Sequence, residues 1–385
     1  MALREHIIIG TANHHGGAET LGIKPADLRM HLIAFGQTGV GKSTLIQQLA
    51  VQDYRAARGF AVLDPHGDLA ESLRVALDGE CTTYFDPADP ANPYGYNPLR
   101  RVRPDKIPLA ASGLMEAFKK LWPDAWGVRM EHVLRNSLYA LLERDGSTLP
   151  DILRMYADKA FRRGVVAGIG NPVVRAFWKS EFANYPPRYA AEALAPVQNR
   201  LGALLSDPAL YRVFVAPKVD LRFRSIMDEG GALLVNLSTG RLGSDSSQAL
   251  GSLLVSTLGL AGLSRLELPP EQRRPFHLYV DEFQAFSTLS FANMMADQRK
   301  AGVAITLATQ HSFQLDPEVR HAVLGNAGSL IAFRTGVEDA ALLAREFAPT
   351  FEARDFINLP NRNFYARIMI DGAPSKVFSG ELVPL

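Results

Sequence analysis

The sequence predicts an α/β fold: a largely parallel sheet with helices on both faces, interrupted midway by an all-helical segment. Three observations lead there. Short continuous apolar runs alternate with helix-length stretches between residues 31 and 85, and again after residue 231, as strands buried on both faces do. Between these regions, from about residue 109 to 214, the pattern is helical and no β-branched run breaks it. One strand-to-helix junction is glycine-rich, "HLIAFGQTGVGKSTLIQQLA", and such junctions border the crevice where open α/β sheets bind ligands.

The elements follow in order. "HLIAFG" reads as a strand, the stretch from about Ser43 to Arg58 as a helix, and "FAVLD" and "CTTYFD" as the next strands. "DPADPANPYGYNPLRRVRPDKIP" is too rich in Pro, Asn and Asp to continue a sheet. "LAASGLMEAFKKLW", "RMEHVLRNSLYALLER", "LPDILRMYADKAF" and "EALAPVQNRLGALLSD" are the expected helices of the insertion. Strands resume at "GALLVNLS", "FHLYVDEF", "VAITLATQ" and "SLIAFRTG", and "NFYARIMID" and "PSKVFSG" close the chain. The expected organisation is one nucleotide-binding domain in two segments, 31–104 and 216–385, around an insertion at 105–215. Two independent domains in series is the alternative. It fits less well, because the second segment has no phosphate loop and the first no acidic strand.

Composition sets limits. A chain of 385 residues can bury one large core and carry an insertion. The net charge of +1 lacks the basic excess of a protein that wraps DNA passively, but it is compatible with basic residues gathered in a pore. A single cysteine, Cys81, excludes an internal disulfide framework and a cysteine zinc site, and fits a reducing compartment. "MALREHIIIG" has neither the apolar core nor the cleavage pattern of a signal peptide. "ALGSLLVSTLGLAGL" is short of a full membrane span and lies between two expected core strands, so it reads as a buried helix and the chain as soluble.

Gly36-Gln37-Thr38-Gly39-Val40-Gly41-Lys42-Ser43, followed by Thr44, satisfies G-x-x-x-x-G-K-[ST]. The glycines let the backbone curl so that successive N–H groups face a phosphate, with the positive end of a helix dipole behind them. Lys42 is expected to bridge the β- and γ-phosphates of ATP, and Ser43 to give an oxygen to Mg²⁺. A chance match in a glycine-rich turn is the plain alternative, but a strand precedes this loop and a helix follows it.

"HLYVDEF" is an apolar strand ending in two carboxylates. Asp281 is expected to hold the Mg²⁺ shell and Glu282 to act as the base that orients the attacking water. A helix N-cap is the alternative for an isolated acidic pair. Gln310 ends the next strand, where it can sense the γ-phosphate. Arg299 and Lys300 end the helix before it, either as charges favoured by the helix dipole or, for Arg299, as a finger reaching a neighbouring subunit; Arg334 is a second finger candidate. "STGRLGSDSSQ" (Ser238–Gln248) reads as a polar loop offering Arg241 to DNA phosphates, and "FQAFSTLSF" as a second such loop. "NHHGG" reads as a surface loop and "DPHGD" as a turn opening a helix.

"GQTGVGKST", "LDPHGDL", "YGYNPL", "ALLVNLSTGRLG", "LYVDEF", "QRKAG" shortly before "TQ", and "AFRTG" followed by "DAALLAREF" occur in one order. Together they resemble the HerA/FtsK-type ATPases, most closely the soluble part of type IV secretion coupling proteins of the TraG/TraD kind. The resemblance covers nearly the whole chain. It implies a RecA-like P-loop ATPase domain with an inserted all-α domain, assembled as a hexameric ring that pumps DNA through its central pore without regard to sequence. It also implies a short β-rich lead-in at 1–30, roles for Lys42, Ser43, Asp281, Glu282 and Gln310 as above, and an Arg299 that acts on the adjacent subunit. The implied place is the cytoplasm or the inner face of a bacterial cell membrane, with a secretion-channel, relaxase or nuclease partner. The membrane-bound members begin with transmembrane helices, and this sequence shows no transmembrane segment, which is expected of a soluble relative or of a piece of a longer protein. Two further readings stand beside the translocase: a HerA-like end-processing or defence ATPase working with a separate nuclease, and an ATPase that moves or remodels protein.

Overall fold

The computed structural model describes residues 6–14, 17–77 and 82–383. Cys81 and the middle of "NHHGG" lie outside the described residues. The chain divides into two compact units. One comprises the residues up to Phe85, Phe223–Ser238 and Ala261 onward; the other comprises Asp86–Arg222 and Thr239–Leu260.

The first unit is built on one eleven-stranded sheet. Its strands are β1 (Ile7–His14), β2 (Gly17–Ile23), β3 (Leu32–Phe35), β4 (Gly59–Asp64), β5 (Thr82–Phe85), β6 (Ala232–Asn236), β7 (Phe276–Val280), β8 (Val303–Thr309), β9 (Ser329–Ala332), β10 (Asn363–Arg367) and β11 (Phe378–Glu381). Their spatial order is β2-β1-β11-β10-β9-β3-β8-β7-β4-β6-β5. From β9 to β5 every pairing is parallel, while β10, β11, β1 and β2 extend the sheet antiparallel. The burial explains the sequence pattern. Every residue of β3, β4, β6, β7, β8 and β9 is buried, as helices on both faces of a parallel sheet require. In β10 buried positions alternate with half-buried ones.

Helix α1 (Lys42–Arg55) follows β3 and buries Leu45, Ile46, Leu49 and Ala50 completely. Those four positions form one apolar stripe at helical spacing. Helix α2 (Asp68–Ala76) opens as "DPHGD" suggests: the buried Asp64 carboxylate accepts the His66 N–H at 2.8 Å and the Ala70 N–H at 3.0 Å. At the opposite, N-terminal edge of the sheet a buried polar cluster centres on Asp53. It receives Tyr279 Oη–H at 2.7 Å and Arg58 Nε–H at 2.6 Å, and its Oδ2 lies 3.2 Å from His277 Nδ1. His277 Nε2 in turn meets Thr306 Oγ1 at 2.8 Å. Burial pushes the Asp53 pKa up, but His277, Tyr279 and Arg58 together hold it below the usual carboxylate value.

The second unit is helical: α3 (Ile107–Leu121), α4 (Val128–Leu142), α5 (Leu149–Ala157), α6 (Lys159–Gly168), α7 (Pro187–Ser206) and most of α8 (Ser244–Ser264). Caps mark the helix starts. Thr148 and Asp151 form a capping box on α5, and Asp158 accepts two backbone N–H groups at the start of α6. Phe118 stacks on Trp122 with ring centroids 4.7 Å apart. A single π-helical turn, Phe177–Glu181, swings Phe177 and Trp178 inward against Phe182.

The apolar stretch read as a buried helix is α8. Long and apolar enough to cross a membrane, it is nonetheless 72% buried over its apolar window. The expected loop Ser238–Gln248 is helical instead: Thr239–Leu242 forms one turn, Gly243 bends the chain at φ +81°, and α8 starts at Ser244. Ser, Asp and Gly favour helix starts as strongly as loops, so composition alone misassigned this stretch.

Candidate nucleotide site

The phosphate loop links the C-terminal end of β3 to α1. Gly39 and Gly41 take φ values of +75° and +127°, which only glycine adopts without strain. Among the described residues, nothing beyond its chain neighbours lies within 4 Å of a Cβ built on Gly39, so the loop's mouth is open there. Behind it Val40 is fully buried. Among the described residues no side chain caps α1, leaving its first N–H groups at Lys42, Ser43 and Thr44 directed at the mouth.

Four sequence-predicted residues converge on this mouth. Lys42 Nζ donates to the carbonyl oxygens of Gly36 (2.8 Å) and Gln37 (3.0 Å) and lies 3.7 Å from Glu282 Oε1. Burial pulls its pKa below the usual lysine value, against the Glu282 and Asp281 carboxylates, which push it back up. Ser43 Oγ donates to Asp281 Oδ2 at 2.7 Å. Asp281 is only 2% exposed. Burial, with the Glu282 and Asp64 charges, pushes its carboxyl up to about 6, although Ser43 and Lys42 act the other way. A buried carboxylate beside a hydroxyl oxygen, short of positive charge, suits a hard divalent cation, and the donor set fits Mg²⁺.

Glu282 follows at φ +46°, a left-handed conformation uncommon for a residue with a side chain. Both its carboxylate oxygens are held: Gln310 Nε2 donates to Oε1 and Gln284 Nε2 to Oε2, each at 2.5 Å. The chain of contacts continues on both sides. Thr38 Oγ1 of the phosphate loop donates to Gln310 Oε1 at 2.9 Å, and Thr309 Oγ1 donates to Gln284 Oε1 at 2.7 Å. Gln284 was missed in the sequence, where "FQAFSTLSF" reads as an exposed loop. Phe283 and Phe286 are instead fully buried, and Thr288 caps the next helix, α9 (Leu289–Gln298). The aromatic spacing was the available signal.

Arg299 and Lys300 stand apart from the site. Arg299 caps the C-terminal end of α9, and its Nη1 donates to Met30 Sδ at 2.8 Å. Met30 precedes β3, at the edge of the sheet away from the phosphate loop. The four residues of β3 alone put roughly 13 Å between the two edges, so Arg299 does not reach the site of its own chain. Next to Met30, His31 Nε2 donates to the Met295 carbonyl at 2.7 Å and Nδ1 accepts the Ile305 N–H at 3.2 Å. Burial pushes the His31 pKa down to about 4, keeping the ring neutral. This pair ties β3, which leads to the phosphate loop, to the helix bearing Arg299 and the strand leading to Gln310. Lys300, in the turn after α9, pairs with Asp297 of that helix. Arg334, half-buried, is beside the loop: its carbonyl accepts the Gln37 N–H at 2.9 Å. Arg241 forms an ion pair with Asp86 at 2.5 Å rather than standing in a loop.

No family model matches the chain, and no curated protein does. Solved structures do. The conjugative coupling protein TrwBΔN70, unbound, aligns with a TM-score of 0.68 at 17% identity over 97% of this chain and 88% of that one. TrwB in complex with the non-hydrolysable ATP analogue ADPNP aligns at 0.67 and 20% identity, over 93% and 86%. VirB4 of Thermoanaerobacter pseudethanolicus aligns at 0.68 and 14% identity, over 98% and 96%. TrwB has also been solved with ADP and Mg²⁺. The chain therefore has the RecA-like fold of the P-loop ATPases, of the type seen in type IV coupling proteins.

Proposed function

We propose that this protein hydrolyses ATP to move DNA, as a ring motor of the coupling-protein type in conjugative transfer or type IV secretion. The observation that carries the reading is the polar chain Thr38–Gln310–Glu282. It joins the phosphate loop to the carboxylate best placed to orient water, through a glutamine at the end of a core strand. Such a contact lets the state of the γ-phosphate be felt along β8, as a motor requires. The fold shared with TrwB, a conjugative coupling protein, over nearly the whole chain supports DNA as the cargo.

In this reading Gly36, Thr38, Gly39, Val40, Gly41, Lys42, Ser43 and Thr44 hold the phosphates, and Ser43 and Asp281 hold Mg²⁺. Bound Mg²⁺ supplies charge neutralisation at the β- and γ-phosphates. Glu282 positions the water and accepts its proton. Arg299, on the far edge of its own sheet, serves a neighbouring subunit in a hexamer. The helical unit is the all-α insertion of the nucleotide-binding domain. The work is done in the cytoplasm or at the inner face of the membrane, beside a secretion or relaxase partner. Arg241 is a weaker DNA contact than its sequence suggests, because it is already paired with Asp86.

The test is steady-state ATPase activity with single-stranded DNA, double-stranded DNA or neither, over a salt series. The motor reading expects stimulation by DNA that fades as salt rises. Turnover indifferent to both forms at every salt concentration would overturn DNA as the cargo and leave a protein-moving ATPase.

A further inference from the structure

The turn Pro360–Asn363 lies against the back of the phosphate loop. The Asn363 N–H closes it onto the Pro360 carbonyl at 3.3 Å, and its third residue, Arg362, has φ +67°. Glycine and asparagine are the residues at home in that conformation. Asparagines stand on both sides of Arg362, yet an arginine occupies the strained position.

Its backbone accounts for the turn but not for the side chain. The Arg362 N–H donates to the Val40 carbonyl at 2.8 Å, and its own carbonyl accepts the Leu382 N–H at 2.9 Å. A glycine would make both bonds without strain. The Arg362 Cα lies 3.6 Å from the place a Cβ on Gly41 would take, so the residue borders the loop directly. The side chain is exposed, and its guanidinium has no hydrogen-bond, ion-pair or ring partner among the described residues. Strain kept at a site border, where the side chain does nothing for the fold, marks a functional position.

Its flank identifies the ligand group. Asp281, Glu282 and Gln310 follow β7 and β8, on one side of β3. Arg362 leads into β10, beyond β9 on the other side. With the γ-phosphate end of a nucleotide facing the carboxylates, the opposite flank is left to the nucleoside. An arginine there presents a planar cation suited to stacking on a purine face. We infer that Arg362 is a nucleotide-binding residue that contacts the nucleoside, not the phosphates. This rests on the nucleotide-binding reading above.

Calorimetric titration of the full chain with ADP plus Mg²⁺, and separately with inorganic tripolyphosphate plus Mg²⁺, tests it. Arg362→Gly is expected to weaken ADP binding at least fivefold and leave tripolyphosphate binding within twofold. Because the substitution relieves the turn, Tm is expected to hold or rise, which separates lost contact from lost fold. Arg362→Asn, which also tolerates this backbone, is expected to behave alike. Wild-type affinity for ADP in both variants would overturn the inference alone, as would equal losses for ADP and tripolyphosphate. Failure of the wild-type chain to bind ADP would overturn the nucleotide reading itself.

Discussion

Gln310 Nε2 donates to Glu282 Oε1 at 2.5 Å while Gln310 Oε1 accepts the Thr38 hydroxyl at 2.9 Å, so one side-chain amide spans the phosphate loop and the acidic strand. Glu282 is further fixed by Gln284 from the other side. A carboxylate clamped between two amides is oriented, as the water-activating role proposed for Glu282 requires.

Glu282→Gln should therefore keep nucleotide binding and lose turnover. General-base loss amounts to about 10²–10⁴ in rate, and the affinity for ADP with Mg²⁺ should stay within about twofold because no phosphate contact is removed. Gln310→Ala should also spare binding but lower turnover less, since Gln284 still holds Glu282. Single-turnover hydrolysis beside equilibrium binding checks both. A Glu282→Gln protein hydrolysing at the wild-type rate would assign the base elsewhere.

Asp281 gives a pH prediction. Its pKa is raised to about 6 in the folded chain from a reference of 3.8, so folding favours the protonated form. That contribution is complete below the unfolded value and is lost as pH rises through about 6. Above it the ionised carboxylate costs on the order of 3 kcal/mol until a cation binds. Without nucleotide or metal, Asp281→Asn should raise Tm at pH 8 and raise it about half as much at pH 5. Mg²⁺-dependent nucleotide binding in the wild type should weaken below about pH 6. Equal Tm gains at the two pH values would count against the assignment.

What the sequence revealed follows from where the constraints sit along the chain. The phosphate loop and the acidic pair need fixed residue types at contiguous positions, and the buried strands need unbroken apolar runs, so Lys42, Ser43, Asp281, β3, β4 and β6 to β9 were legible. Gln284, His31 and Asp53 were not. Their roles come from partners brought up by folding, as with Asp53 and His277, 224 positions apart in the sequence. Ser238–Gln248 was misread because helix starts and loops share the same small polar residues. The π-helical turn at Phe177–Glu181 leaves no periodic mark in a segment that short.

Asp53 should matter for folding alone. Asp53→Ala removes the acceptor for Tyr279 and Arg58 in a buried cluster at the sheet edge opposite the nucleotide. Removing one partner of such a cluster costs about 3–5 kcal/mol. Denaturant unfolding should show that loss, while ADP affinity measured under conditions where the variant is folded should be unchanged. A nucleotide defect with normal stability would contradict this division of roles.

Arg299 is the sharpest test of assembly. Its guanidinium lies beside Met30, at the edge of β3 away from the phosphate loop, so any part it plays in hydrolysis must be played on another subunit. Arg299→Ala should bind ADP normally and be inactive. Lys42→Ala should bind ATP more weakly and not turn over, yet it carries an intact Arg299. Mixed and reassembled, the two variants should form interfaces where the Arg299→Ala subunit supplies the nucleotide site and the Lys42→Ala subunit supplies the arginine. Activity should therefore reappear in the mixture and peak at an intermediate ratio. No activity at any ratio, under conditions where mixed oligomers are shown to form, would leave Arg299 as a helix-terminal charge held by Met30 and move the search for the finger to Arg334.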